Sequence, residues 1–148
     1  MALFKRIVHP TDFSADSRPA MRLAVRMAGE TQAELVLLYV LAPIAPFMGE
    51  VYVAPSTFTE LTTRARKAAL GRLERLASQA RKAGVKTRVR LLEGIPGEEI
   101  VRTAGRRSGC VIVMGTHGRT GISRMMAGSV ATSVVQHARC PVLTVRGR

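Results

Sequence analysis

The sequence contains no tryptophan, and aromatic residues make up only 4% of it. Such a chain offers little on which to stack the bases of a single-stranded nucleic acid. Cysteine is almost as scarce: Cys110 and Cys140, each inside or beside an apolar run, are too few for a disulfide framework and read as small buried hydrophobes. A long hydrophobic run is also missing. The longest uncharged apolar stretch, Leu35 to Met48, is shorter than a membrane span and is interrupted by Pro43 and Pro46, so no bilayer crossing is expected. The opening "MALFKRIVHPTD" reaches Pro10 and Asp12 before an apolar signal core can develop, so a cytoplasmic location is expected. Acidic residues are the other shortage, ten against 23 lysines and arginines, for a formal net charge of +13. That field favours anions without choosing among them. The basic residues are scattered rather than blocked into a tail, so nucleic acid is not the expected partner.

At 148 residues and 47% hydrophobic, the chain has the length and composition of one globular domain, taken here as residues 1–148. Short β-like runs alternate with longer helical ones. Residues 4–10 ("FKRIVHP") predict a first strand, closed by Pro10, Thr11 and Asp12. Ala20, Leu23, Ala24, Met27 and Ala28 then fall on one helical face, with Gly29 as the expected stop. The run "AELVLLYVL" (33–41) is apolar almost throughout, as a strand covered on both faces should be. Residues 42–57, with three prolines and Gly49, predict a loop. A long helix follows from about Phe58 to Ala83, with Leu61, Ala65, Ala68, Leu76, Ala80 and Ala83 on its expected buried side. Residues 85–94 alternate apolar and basic side chains and suit a strand near an edge. A short helix fits Pro96 to Arg107, with Glu98 and Glu99 at its positive end and Arg106 and Arg107 at its negative end. A buried strand (110–115), a helix (126–138) and a last strand (141–146) complete the chain. This β-α-β-α-β-α-β-α-β order, with right-handed crossovers, predicts a doubly wound, Rossmann-like α/β domain: one parallel sheet with helices on both faces.

In such a sheet, ligands bind beyond the C-terminal strand ends, where strand order reverses. Three stretches reach that edge: "HPTD", "YVLA" and "MGTHGRTG". The last belongs to "GTHGRTGISRMMAGS" (115–129), which holds four glycines, two arginines and no acid directly after the buried run "CVIVM". Glycine lets a backbone curl around phosphate, and the next helix, opening at Gly128-Ser129, adds unpaired N–H groups and a hydroxyl. The spacing is neither G-x-G-x-x-G nor G-x-x-x-x-G-K-[ST], and no lysine occurs between 110 and 148, so dinucleotide and Walker fingerprints are absent.

The pattern Gly115-x2-Gly118-x9-Gly128-Ser129, set between "VIVMG" and "PVLTVR" and accompanied by "IVHPTDFS" and "GIPGEEIV", resembles the ATP-binding branch of the universal stress protein family over the whole chain. The resemblance implies a five-stranded parallel sheet in the order 3-2-1-4-5. It implies that Asp12 accepts hydrogen bonds from the ribose, with Pro10 and Thr11 shaping that wall. Val40 would meet adenine through its backbone groups, with Met114 nearby. Gly115, Gly118, Gly128, Ser129 and Val130 would line ribose and phosphates, with Mg2+ or Mn2+ bridging phosphate oxygens. The resemblance also implies a homodimer, through the C-terminal strand. His117 and Arg119 sit in the same loop as candidate phosphate contacts; each has an ordinary surface role as its alternative, as does Arg124. Asp12 has the alternative of capping the turn before the first helix. His9 and His137 read as structural.

Catalysis would need groups to position an attacking water or acceptor and to stabilise charge at the γ-phosphate. The chain has no Walker lysine, no clustered carboxylates, no metal-ligand spacing and no complete G-x-S-x-G elbow. The expected role is therefore an ATP-dependent sensor or regulator in a stress response, in which nucleotide orders residues 116–128 and alters a surface read by an unidentified protein partner. Slow ATP hydrolysis or phosphoryl transfer, cyclic AMP binding at the same site and a basic nucleic-acid scaffold are the alternatives.

Overall fold

The computed structural model describes residues 3–43, 47–48, 51–117 and 128–147. Its elements in chain order are β1 (Arg6–Pro10), α1 (Arg18–Thr31), β2 (Glu34–Leu41), β3 (Phe47–Met48), β4 (Val51–Tyr52), α2 (Pro55–Lys82), β5 (Thr87–Glu93), α3 (Pro96–Ala104), β6 (Cys110–Gly115), α4 (Ser129–His137) and β7 (Val142–Val145). Five strands form one sheet in the order β5-β2-β1-β6-β7, every neighbour parallel. Counting only those five, the order is 3-2-1-4-5. β1 lies at the centre, and the chain winds outward from it first to one side and then to the other.

Each sheet face carries its own apolar layer. Ile7, Leu35, Leu37, Val111 and Val113 point to one face and pack against Ala24 and Ala28 of α1 and Leu73, Ala77 and Ala80 of α2. Val8, Val36, Leu38, Ile112 and Met114 point to the other and meet Ile100 and Ala104 of α3 and Ala131 and Val134 of α4. Because neighbouring strand residues face opposite ways, a strand covered on both sides must be apolar throughout. Leu35, Val36, Leu37 and Leu38 are all fully buried, as that rule requires. The alanine stripe Ala20, Ala24 and Ala28 on α1 lets its backbone lie close to the sheet.

Several boundaries differ from the expectations. Within the expected 42–57 loop, β3 and β4 form a two-stranded antiparallel ribbon, and α2 already begins at Pro55, whose fixed φ suits a first helical turn. Helix α1 runs through Gly29 and ends at Thr31, where Gln32 takes a left-handed φ of 56°. Helix α3 stops at Ala104, capped by Gly105, so Arg106 and Arg107 lie beyond it. The face of α2 is also shifted. Ala69, Leu73, Ala77 and Ala80 are buried, while Leu61, Ala68 and Ala83 are exposed. Alanine on every side of this helix left its periodicity ambiguous, and the position of the sheet selects the stripe. The first helical residue of α4 is Ser129, where the Gly128-Ser129 reading put the opening, and residues 126 and 127 of the expected 126–138 helix lie outside the described residues.

Cys110 is buried and Cys140 half-buried, and both thiols are free. The register Ile112 to Val142 sets them side by side at the β6–β7 boundary. Burial, followed by the neighbouring Cys140, pushes the Cys110 thiol up to about 11.

Candidate functional site

The central strand is the first to stop. β1 ends at Pro10, opposite Leu38, and the next N–H, of Thr11, donates to Leu38 O at 2.9 Å. β2 continues to Leu41, whose carbonyl accepts from Gly94 N on its other side at 3.1 Å. Backbone groups of a strand alternate between its two neighbours. Leu38 therefore faces β1, Leu41 faces β5, and the N–H and C=O of Val40 point into the gap that β1 leaves.

Beyond Pro10 the chain makes a tight turn held by its own polar groups. Asp12 Oδ1 accepts from Ser14 N at 2.9 Å, so Asp12 does cap this turn. Phe13 N donates to Thr11 Oγ1 at 3.0 Å, and Ser17 Oγ donates to Ser14 O at 2.9 Å. Since the Ser17 hydroxyl proton is committed, the 3.3 Å contact between Thr11 and Ser17 runs from the Thr11 hydroxyl to Ser17 Oγ. Phe13 adopts a φ of 63°, a conformation uncommon for a bulky residue, with its ring 4.8 Å from that of Tyr39.

The other wall comes from β6 and α4. Gly115 ends β6 where a Cβ would lie 3.3 Å from the Asp16 carbonyl oxygen and 3.6 Å from Ser17 Cα, so a side chain there would press the strand end and the turn apart by a few tenths of an ångström. Thr116 N donates to Val145 O at 3.0 Å, and Gly128 N donates to Thr116 O at 2.6 Å. This second bond ties the start of α4 to the end of β6. It also uses the Gly128 N–H. The first bond within α4 is Thr132 N to Gly128 O, and no side chain among the described residues caps the helix. The N–H groups of Ser129, Val130 and Ala131 thus have no acceptor within α4 and carry the positive end of its dipole.

These pieces enclose an open cleft of about 750 Å³, counted out to its mouth. Of the twelve residues singled out from the sequence, ten line it: Pro10, Thr11, Asp12, Val40, Met114, Gly115, His117, Gly128, Ser129 and Val130. Gly118 and Arg119, like Arg124, lie outside the described residues. Seven further residues complete the lining. Ser17, Leu38, Tyr39, Thr116 and Ala131 adjoin residues already named, while Pro96 and Ile100 come from α3. The motif "GIPGEEIV" held the signal for the α3 contribution, which its reading as a helix start concealed. His117 Nδ1 lies 2.9 Å from Thr116 Oγ1.

Two histidines sit apart from the cleft lining. His137 is exposed and its Nδ1 bonds to Ser133 O at 2.8 Å. His9 is fully buried, with Nδ1 2.8 Å from Val113 O. A carbonyl only accepts, so Nδ1 carries the hydrogen, and the buried Nε2 has no partner among the described residues. Burial lowers its pKa to about 4, against smaller opposing contributions from the Val113 bond and Asp12.

Among the described residues there is no group of three or more metal-ligating side chains, and Asp12 is the one carboxylate on the described cleft wall. None of the described helices is long and apolar enough to cross a membrane.

The model of the universal stress protein family matches residues 3–146. Universal stress protein MJ0531 of Methanocaldococcus jannaschii is 38% identical over 144 residues, covering 97% of this chain and 83% of its own. The solved structure of MJ0577, from the same organism, superposes with a TM-score of 0.83 at 28% identity over 99% of this chain and 98% of its own. A solved universal stress protein in complex with cAMP shares the fold at a TM-score of 0.70 and 22% identity, covering 99% of each chain.

Proposed function

Because the chain belongs to the universal stress protein family, we propose that its cleft binds an adenine nucleotide, ATP in the working form, and that occupancy rather than turnover is the signal it carries. One observation supports this reading above the others: three N–H groups without helical acceptors at the start of α4 line the same cleft as Asp12 and the backbone gap at Val40. Each part matches a different piece of the ligand. The Val40 N–H and C=O suit the hydrogen-bonding edge of adenine, with Met114 as an apolar floor. The Asp12 carboxylate suits ribose hydroxyls. Ser129, Val130 and Ala131 suit phosphate oxygens, with Gly118 and Arg119 completing that end in this proposal.

With Asp12 as the one carboxylate on the described wall, Mg2+ or Mn2+ would be carried chiefly by the phosphates themselves, as is usual for nucleotide-bound magnesium. The bound ion would neutralise phosphate charge, while this chain's residues orient the nucleoside. In the proposed regulator, the nucleotide protects residues 116–128 and a β7-paired homodimer presents the altered surface to a protein partner during stress.

Native mass spectrometry of freshly purified protein, followed by identification of released nucleotide, tests the reading. The expected result is one adenine nucleotide per chain, with affinity for added Mg-ATP falling roughly tenfold or more in Asp12→Ala through the lost charged hydrogen bond. Protein that is empty and takes up no added Mg-ATP refutes it. A second reading, cyclic AMP as the ligand, draws support from the fold-mate in complex with cAMP. Competition between ATP and cyclic AMP decides between them, and steady phosphate release abolished by Asp12→Ala would replace the sensor with a slow hydrolase.

A further inference from the structure

A second cleft, which shares Thr11 and Ser17 with the first, lies between the 11–17 turn, α1 and α2, with about 1000 Å³ of space counted out to its mouth. Four arginines line it: Arg18 and Arg22 on α1, Arg72 and Arg75 on α2. Their spacing is helical on both sides, four residues apart on α1 and three on α2, so each helix brings a pair of arginines to the same groove. Among the described residues no aspartate or glutamate lines the cleft. The ion pairs among the described residues engage Arg6, Arg64, Arg66, Arg81, Arg88 and Arg102, none of these four. Arg75 Nε reaches its own helix at Gly71 O, 3.3 Å away, and the Arg72 guanidinium stacks 4.3 Å over the Phe13 ring. That cation–π contact holds Arg72 at the groove.

A serine is also part of the lining. Ser14 lines the cleft, and its buried hydroxyl has no hydrogen-bond partner among the described residues. Guanidinium forks match phosphate oxygens two at a time. Four like charges around one concavity repel each other, and a multiply charged anion removes that cost.

We propose that the α1–α2 cleft is a binding site for a small soluble polyanion of the phosphate class, a polyphosphate or multiply phosphorylated metabolite, separate from the nucleotide cleft.

Inorganic tripolyphosphate is the probe, titrated calorimetrically into the full chain at physiological ionic strength. The expected result is one site per chain, weakened roughly tenfold or more in Arg72→Gln/Arg75→Gln, since each lost charged hydrogen bond contributes severalfold or more. Arg18→Gln/Arg22→Gln on the facing helix should do the same, and serves if the first variant misfolds. Arg106→Gln/Arg107→Gln removes the same charge from exposed positions outside this cleft and should stay within about twofold. Three results overturn the proposal: no binding by the wild type, equal weakening in the Arg106/Arg107 control, or unchanged binding in both groove variants, which would put the probe elsewhere on the chain.

Discussion

Acid should loosen this protein through one buried imidazole. His9 is fully buried, donates from Nδ1 to Val113 O, and has its pKa held down at about 4 against an ordinary value of 6.5, chiefly because burial penalises the charged ring. In the unfolded chain the same ring takes up a proton as pH falls through 6.5, while in the folded chain it stays neutral until about pH 4. Between those values the unfolded state binds more protons, so stability falls as pH falls. The slope approaches about 1.4 kcal/mol per pH unit, and integrating from pH 7.5 to pH 5 gives a loss of about 2 kcal/mol. That is a large share of a net stability on the order of 5–15 kcal/mol. The assay is urea unfolding at pH 7.5, 6 and 5, comparing wild type with His9→Asn. Asparagine keeps a side-chain N–H for Val113 O but cannot titrate, so its stability should change far less over this range. Histidine NMR gives a direct reading: the His9 ring should show no protonation above pH 5. Equal losses in the two proteins, or a His9 ring that titrates near 6.5, would refute the reasoning.

Gly97→Ala should destabilise by about 1–3 kcal/mol in chemical denaturation, because its Cβ would fall 2.7 Å from Ser133 Oγ and 3.1 Å from Ser133 Cβ where α3 meets α4. A double-mutant cycle with Ser133→Ala should recover much of that cost. Cys110, with its thiol at about 11, should resist iodoacetamide at pH 8, where roughly one molecule in a thousand carries the thiolate, and react once the chain is unfolded. Thr144→Pro tests the proposed dimer. Ile112 N donates to Pro141 O and Thr116 N to Val145 O, so by alternation the Thr144 N–H faces the open edge of β7. Light scattering should show a dimer for the wild type and a monomer for the variant, with β6–β7 pairing intact; a dimer in both places the contact elsewhere.

The sequence by itself determined the kind of fold and most of the cleft. Continuous apolar runs at Leu35–Leu38 and Cys110–Met114 can be satisfied only by strands covered on both faces, and the alternation of such runs with helical periods leaves a doubly wound parallel sheet as the answer. Glycine and helix-start chemistry are local, so Gly115, Gly128 and Ser129 were legible as candidates, and all three line the cleft. Periodicity alone could not order the strands, because their order depends on which surfaces meet; the family resemblance supplied it. Local pattern read both strand ends, Pro10 and Leu41, but not the register that sets Pro10 opposite Leu38, and that offset opens Val40's backbone to the cleft. The contributions of Pro96 and Ile100, the buried stripe of alanine-rich α2, and the convergence of Arg18, Arg22, Arg72 and Arg75 on one groove are likewise decided by packing. Spacing along a chain fixes which residues share a face of one element. Only the docking of elements fixes what that face meets.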